Sequence, residues 1–167
     1  MRNNKHTPGA FLRIKLSDGT YGYARTLQPP DTAFYNFQTQ TPISDLEFIA
    51  SKPILFTLSV EIRSMKHWKY LGISELQGEV TLPVKYYTQE IGNYRNCTIY
   101  DSNGMIKNVT PEECIGLEVS AVWEAKQVEE RLLDSFMGRP NQSEIIDRVK
   151  LTGPEPDAIL KLFFRQK

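Results

Sequence analysis

Apolar and polar positions alternate with period two along the first hundred residues, then switch to a helical period. Residues 10–17 set Leu12, Ile14 and Leu16 on one face and Arg13 and Lys15 on the other, the signature of a half-buried strand. Asp18-Gly19 follows, a two-residue hairpin signal in which both positions want positive φ. Residues 20–27 return as a second strand. Pro29 and Pro30 end it, because proline donates nothing to a ladder. Residues 33–37 suit a third strand. Ser44 with Glu47 makes a capping box for a short helix near 45–51 that buries Leu46, Ile49 and Ala50 and stops at Pro53. Residues 53–60 are apolar on both faces and predict a central strand. Residues 68–73, 84–89, 97–101 and 105–109 are further strands, the last two joined by a turn at Ser102-Asn103-Gly104.

Thr110, Pro111 and Glu113 then combine an N-cap, a proline at the first helical position and a glutamate at the third. Val122, Ala125, Val128, Leu132 and Phe136 recur at helical spacing up to Gly138, a C-cap residue. Gly116 divides this stretch into a short turn and a longer helix near 119–137. Residues 141–150 are compatible with helix, and 159–164 with a closing strand. The prediction is a strand-rich α+β single domain over 1–167, a mainly antiparallel twisted sheet with both helices packed on it. Residues 1–8 are expected to be mobile, and 139–167 form the segment with the least pattern.

Composition narrows the class. In 167 residues, 40% hydrophobic and 11% aromatic content supplies a core, which excludes a disordered tail or a disulfide miniprotein. Twenty basic residues against twenty acidic ones give zero formal charge, unlike a nucleic-acid coat. No apolar run reaches the roughly 18–20 residues of a membrane span, and the first residues do not read as a secretory signal. The neutral total conceals a split. Residues 1–30 carry five basic residues and one acid, whereas 110–135 carry seven acids against Lys126 and Arg131. Such a split can steer association with a charged partner, although helix acids also serve simply to keep one face wet.

Reactive groups are few. The two histidines are His6 and His67, and the two cysteines, Cys97 and Cys114, read as small buried hydrophobes. A helix N-terminus lowers the pKa of a thiol such as Cys114, but Glu112 and Glu113 oppose it. Phosphate-loop, dinucleotide and zinc-protease motifs are absent from the sequence, so no catalytic, metal or cofactor residue is assigned. Ten aromatics lie mostly on predicted strands. Core packing explains them more often than base stacking, yet the basic hairpin leaves a single-stranded nucleic-acid-binding β-sheet module as the alternative function.

Several segments taken together resemble the Immunity protein 26 family of bacterial polymorphic toxin systems. They are Gly9-Ala-Phe-Leu-Arg-Ile-Lys-Leu-Ser-Asp-Gly-Thr-Tyr-Gly-Tyr-Ala-Arg25, Ala33-Phe-Tyr35, Lys52-Pro-Ile-Leu-Phe56, Trp68-Lys-Tyr-Leu-Gly72 and Pro83-Val-Lys-Tyr-Tyr-Thr-Gln89. Three later blocks, 109–118, 121–124 and 128–132, extend the resemblance to about residue 140. It implies a small cytoplasmic protein, not an enzyme, that binds and neutralises a cognate toxin C-terminal domain. Contact-dependent growth inhibition is one delivery system using such proteins, and the toxins are commonly RNases or DNases. No membrane, nucleic acid or cofactor is expected as a partner. An interface of about 1,600 Å² is the expected size. Its candidate residues are Glu124, Glu129, Glu130 and Asp134 as electrostatic contacts with a basic nuclease, and Trp68, Tyr70 and Tyr94 as aromatic ones. Trp123, beside Val122, is assigned to the core.

Overall fold

The computed structural model describes residues 4–104 and 106–153; the strand predicted over 159–164 lies outside them. Two compact units divide the chain: Met1–Val84 with Ser120–Asp147, and Lys85–Val119 with Arg148–Lys167.

The first unit is built on a six-stranded sheet. Strands β1 (Ala10–Lys15), β2 (Tyr21–Thr26), β3 (Asp31–Thr39) and β4 (Ile54–Val60) pair antiparallel in sequence order. β5 (Lys69–Ile73) adds on beside β1, while the short β10 (Val122–Trp123) adds parallel beside β4. Both faces of this sheet are covered, which is why β2 and β3 carry runs of consecutive buried residues in place of alternation. Leu12, Ile14, Phe34 and Leu58 belong to one core, with Trp68 and with Val128 and Leu132 of helix α2 (Ala125–Phe136). Phe11, Tyr23 and Tyr35 form the core of the opposite face under Ile49 of helix α1 (Leu46–Ala50).

The second unit holds β6 (Lys85–Glu90), β7 (Asn93–Asp101), β8 (Ile106–Val109) and the two-residue β9 (Glu118–Val119), in the order β8-β7-β6-β9. Its own small core contains Tyr87, Cys97, Val109 and Cys114. The fold is α+β as expected, but the strands form two mixed sheets, not one mainly antiparallel sheet. Alternation fixes which face a residue occupies and is silent about which strands pair.

Other differences are local. Positive φ occurs at Gly19 and not at Asp18, and Gly19 N donates to Leu16 O at 3.0 Å while Leu16 N donates to Thr20 O at 2.8 Å. The first hairpin is therefore a three-residue loop with glycine at the left-handed position, not the two-residue turn predicted. Asp18 stays outside the left-handed region, and its Oδ1 accepts from Thr20 N at 2.9 Å. The cap of α1 is Asp45, whose Oδ1 accepts from Phe48 N at 2.9 Å, so Ser44 is one residue too early; Ala50 is exposed. The predicted 119–137 helix begins only at Ala125. Gly116 at φ +85° turns the chain, and the β-branched Val119 and Val122 are drawn into the two sheets as extended backbone. Trp123 is in the core as assigned, but from strand β10, and Val122 is exposed. The C-terminus of α2 is a Schellman motif: Arg139 N donates to Asp134 O at 2.8 Å, Gly138 N to Ser135 O at 3.2 Å, and Gly138 has φ +66°. Helix α3 (Gln142–Asp147) follows, with Asn141 Oδ1 accepting from Glu144 N at 3.1 Å. Of the segment expected to be mobile, Asn4–His6 form a 3-10 turn whose Lys5 carbonyl accepts from Thr26 Oγ1 at 2.7 Å. No helix among the described residues is long and apolar enough to cross a membrane.

Candidate interaction surface

Helix α2 carries all four electrostatic candidates or adjoins them. Its apolar stripe of Ala125, Val128 and Leu132 faces the sheet, leaving the acids on the flanks and outer face. Glu124 is the N-cap and is exposed; its backbone N–H donates to Gln127 Oε1 at 2.9 Å, and Ser64 Oγ accepts the orphan N–H of Ala125 at 2.9 Å. Glu130 is exposed to solvent.

The other two acids are tied into the structure. One oxygen of Glu129 accepts from the indole Nε1 of Trp68 at 2.7 Å and lies 2.5 Å from His67 Nε2. Asp134 accepts from Arg139 Nη2 at 2.8 Å and from Asn141 Nδ2 at 3.0 Å, joining the end of α2 to the start of α3. Trp68 is 1% exposed and meets Phe34 edge-on at 5.9 Å between ring centroids. That arrangement is worth about 0.5–1.5 kcal/mol beyond area burial. Tyr70 is half-buried on β5, and Tyr94 is half-buried on β7 in the second unit. Among the seven candidates, the structure brings together Trp68 and Glu129.

The acidic stretch of 110–135 is divided between the units. Glu112 and Glu113 belong to the second, on the 3-10 turn Pro111–Cys114. Arg95 Nη1 lies 2.6 Å from Glu112, and this hydrogen bond is the main cause that holds the Glu112 carboxyl down at about 2. Glu113 Oε2 accepts from Thr110 N at 2.9 Å, and that capping contact also lowers its pKa. Cys97 and Cys114 share one buried cluster. Burial first, and then the adjacent Cys97, push the Cys114 thiol up to about 11, so it stays protonated at neutral pH. His67 lies in the first unit. Among the described residues no group of three His, Cys, Asp or Glu side chains is arranged to hold a metal ion.

The basic N-terminal stretch is likewise dispersed. Arg25 is buried, its guanidinium 4.6 Å from the centroid of Phe11, and Nη2 donates to Ser74 O at 3.0 Å and Glu75 O at 2.8 Å. Arg13 lies over the Tyr21 ring at 5.4 Å. A different basic group is exposed: Arg63, Lys66 and Lys69, in and just after the 3-10 turn Ile62–His67. Sequence reasoning missed it. Its signal was the three-residue spacing of Arg63 and Lys66, which a 3-10 turn aligns on one face.

Fold and surface together define a small α+β protein with an acidic helix flank and a basic turn side by side in one unit. Residues 7–97 match the family model described as Immunity protein 26, which is more than half of the chain. The chain belongs to the Immunity protein 26 family. No curated protein and no solved structure matches it. The matched segment includes the first hairpin, the blocks around Phe34, Ile54 and Trp68, and β6; α2 lies beyond it.

Proposed function

We propose that this protein neutralises a cognate toxin domain, a nuclease, by covering its active site or its substrate-binding surface, and that it does so in the cytoplasm without catalysis of its own. The family match carries the reading. The acidic flank of α2 supports the nuclease assignment, because an enzyme that binds a polyanion presents a basic cleft. Glu129 and Asp134 hold structural contacts and Glu124 takes part in the capping box of α2, so Glu130 is the acid best placed to meet such a cleft, with the exposed Glu124 beside it. Tyr70 and Tyr94 are half-buried, leaving part of each ring for contact, while Trp68 supports the surface from beneath.

The test is co-purification with the toxin domain encoded beside this protein's gene, followed by a toxicity assay. Wild type is expected to bind and protect. Glu130→Lys combined with Glu124→Gln should slow association about tenfold at low salt while the far-UV circular dichroism stays unchanged. Protection and association rate both unaltered by that pair would remove the acidic flank from the interface. Failure of wild type to bind would remove the toxin reading itself.

A further inference from the structure

The geometry points to a second contact surface on the first unit: the corner made by the turns Asn4–His6 and Ile62–His67 docks an acidic segment of the partner protein. This rests on the toxin reading for the identity of the partner and adds where, and by what chemistry, it is held.

Four cations meet at this corner. Arg63 and Lys66 are three residues apart on a 3-10 turn, where side chains eclipse, and both are exposed. Lys69 opens β5 and is exposed. Lys5 Nζ donates to Lys66 O at 2.6 Å and Met65 O at 3.4 Å, which occupies two of its three hydrogens and leaves its charge uncompensated by a carboxylate. Lys69 is close enough to Lys5 that, after burial, its charge further lowers the Lys5 pKa. Among the described residues none of the four forms an ion pair. The nearby Glu61 uses an oxygen to cap the turn, accepting from Arg63 N at 3.0 Å.

An independent observation lies on the same two turns. The hydroxyl of Thr32, a residue 1% exposed, has no hydrogen-bond partner, and neither has His6 Nδ1. Both line a depression walled by Pro29, Pro30, Ile62 and Met65. It is too shallow to enclose a water molecule, so it does not suit a free small ligand. A side chain delivered by a docked surface suits it, with the exposed Ile62 yielding as interface rotamers commonly do. A carboxylate fits the chemistry: with Ile62 turned aside it accepts from the Thr32 hydroxyl and from a neutral His6 carrying its proton on Nδ1, and Lys5, Arg63 and Lys66 on the same two turns favour negative charge there.

A protein segment suits the corner better than a nucleic acid. Single strands need exposed rings for stacking, and Trp68 is packed beneath the turn. A polyanion running across the corner would also meet the acids of α2, which the Ser64–Ala125 and His67–Glu129 contacts set directly beside it. A partner carrying acidic and basic strips in matching order fits both, and that match fixes its register.

The full-length chain, its Arg63→Glu/Lys66→Glu/Lys69→Glu variant and its Thr32→Val variant are titrated with the neighbouring-gene toxin domain and with oligouridylate. The triple variant is expected to slow toxin association at least tenfold and to flatten its salt dependence. Thr32→Val, which deletes an unpartnered hydroxyl, should leave the unfolding midpoint unchanged or higher yet speed toxin dissociation. Wild-type binding with both variants matching it overturns the proposal and leaves the toxin reading standing. So does oligouridylate binding lost in the triple variant while toxin binding persists. Absence of wild-type toxin binding fails the underlying reading.

Discussion

Glu129 Oε1 accepts the Trp68 indole hydrogen and faces His67 across the same gap, and removing that carboxylate strands a buried donor. Glu129→Ala should cost about 1–3 kcal/mol in chemical denaturation, and Glu129→Gln, which keeps an acceptor, clearly less. The Glu112–Arg95 pair makes a pH prediction. The folded-state carboxyl sits at about 2 against an ordinary 4.5, so the pair contributes stability above about pH 4.5 and loses it as the pH falls toward 2. Carboxyl NMR should locate Glu112 near 2 in wild type and clearly higher in Arg95→Ala, yet still below 4.5 because the backbone and Thr110 hydrogen bonds remain. Because both side chains are about half exposed, added salt should shrink the difference. Single residues were the least legible scale. Arg25 and Trp68 look like surface charge and surface aromatic in a strand-rich sequence. Their burial depends on Ser74, Glu75 and Glu129, 49 to 61 residues away, and no local pattern encodes such a pairing.

Gly9 joins elements at the start of the first sheet. Its N–H donates to Thr26 O at 2.7 Å, its carbonyl accepts from Ser74 N at 3.2 Å, and φ is +90°. A Cβ there would run into the Ser74 carbonyl oxygen, part of the backbone. Gly9→Ala should therefore destabilise the protein by about 2–3 kcal/mol, read from the denaturation midpoint, whereas Gly19→Ala meets open space and costs only its backbone strain. Elements themselves were largely legible. The alternation of Leu12, Ile14 and Leu16, the Asp18-Gly19 turn, Pro53 and the Thr110–Glu113 capping box each mark a real boundary. The failure between 119 and 124 has a physical cause. Val119 and Val122 fit a helical count, but β6 and β4 offer them ladder hydrogen bonds, and tertiary pairing overrides a weak local preference.

At the scale of the molecule the neutral total has its own consequence. With a sequence pI of about 6.7, repulsion between copies is least near neutrality, so turbidity at high concentration should peak between about pH 6 and 7 and fall on either side. Association with a toxin should nonetheless slow as salt rises, because the charged strips act locally even when the sum is zero. Fold class could be read from the order of strands and helices; the division into two units could not, since it depends on the parallel bridges of β9 and β10. That division affects how folding can be watched. The chain has two tryptophans, Trp68 and Trp123, and both sit in the core beneath α2, at 1% and 2% exposure. The unit built on β6–β9 has none. Indole emission therefore reports the six-stranded sheet alone and is blind to the other, which must be followed by backbone dichroism or tyrosine absorbance. Superimposable curves from the two signals would mean that both units melt as one cooperative body; separated curves would give each its own stability.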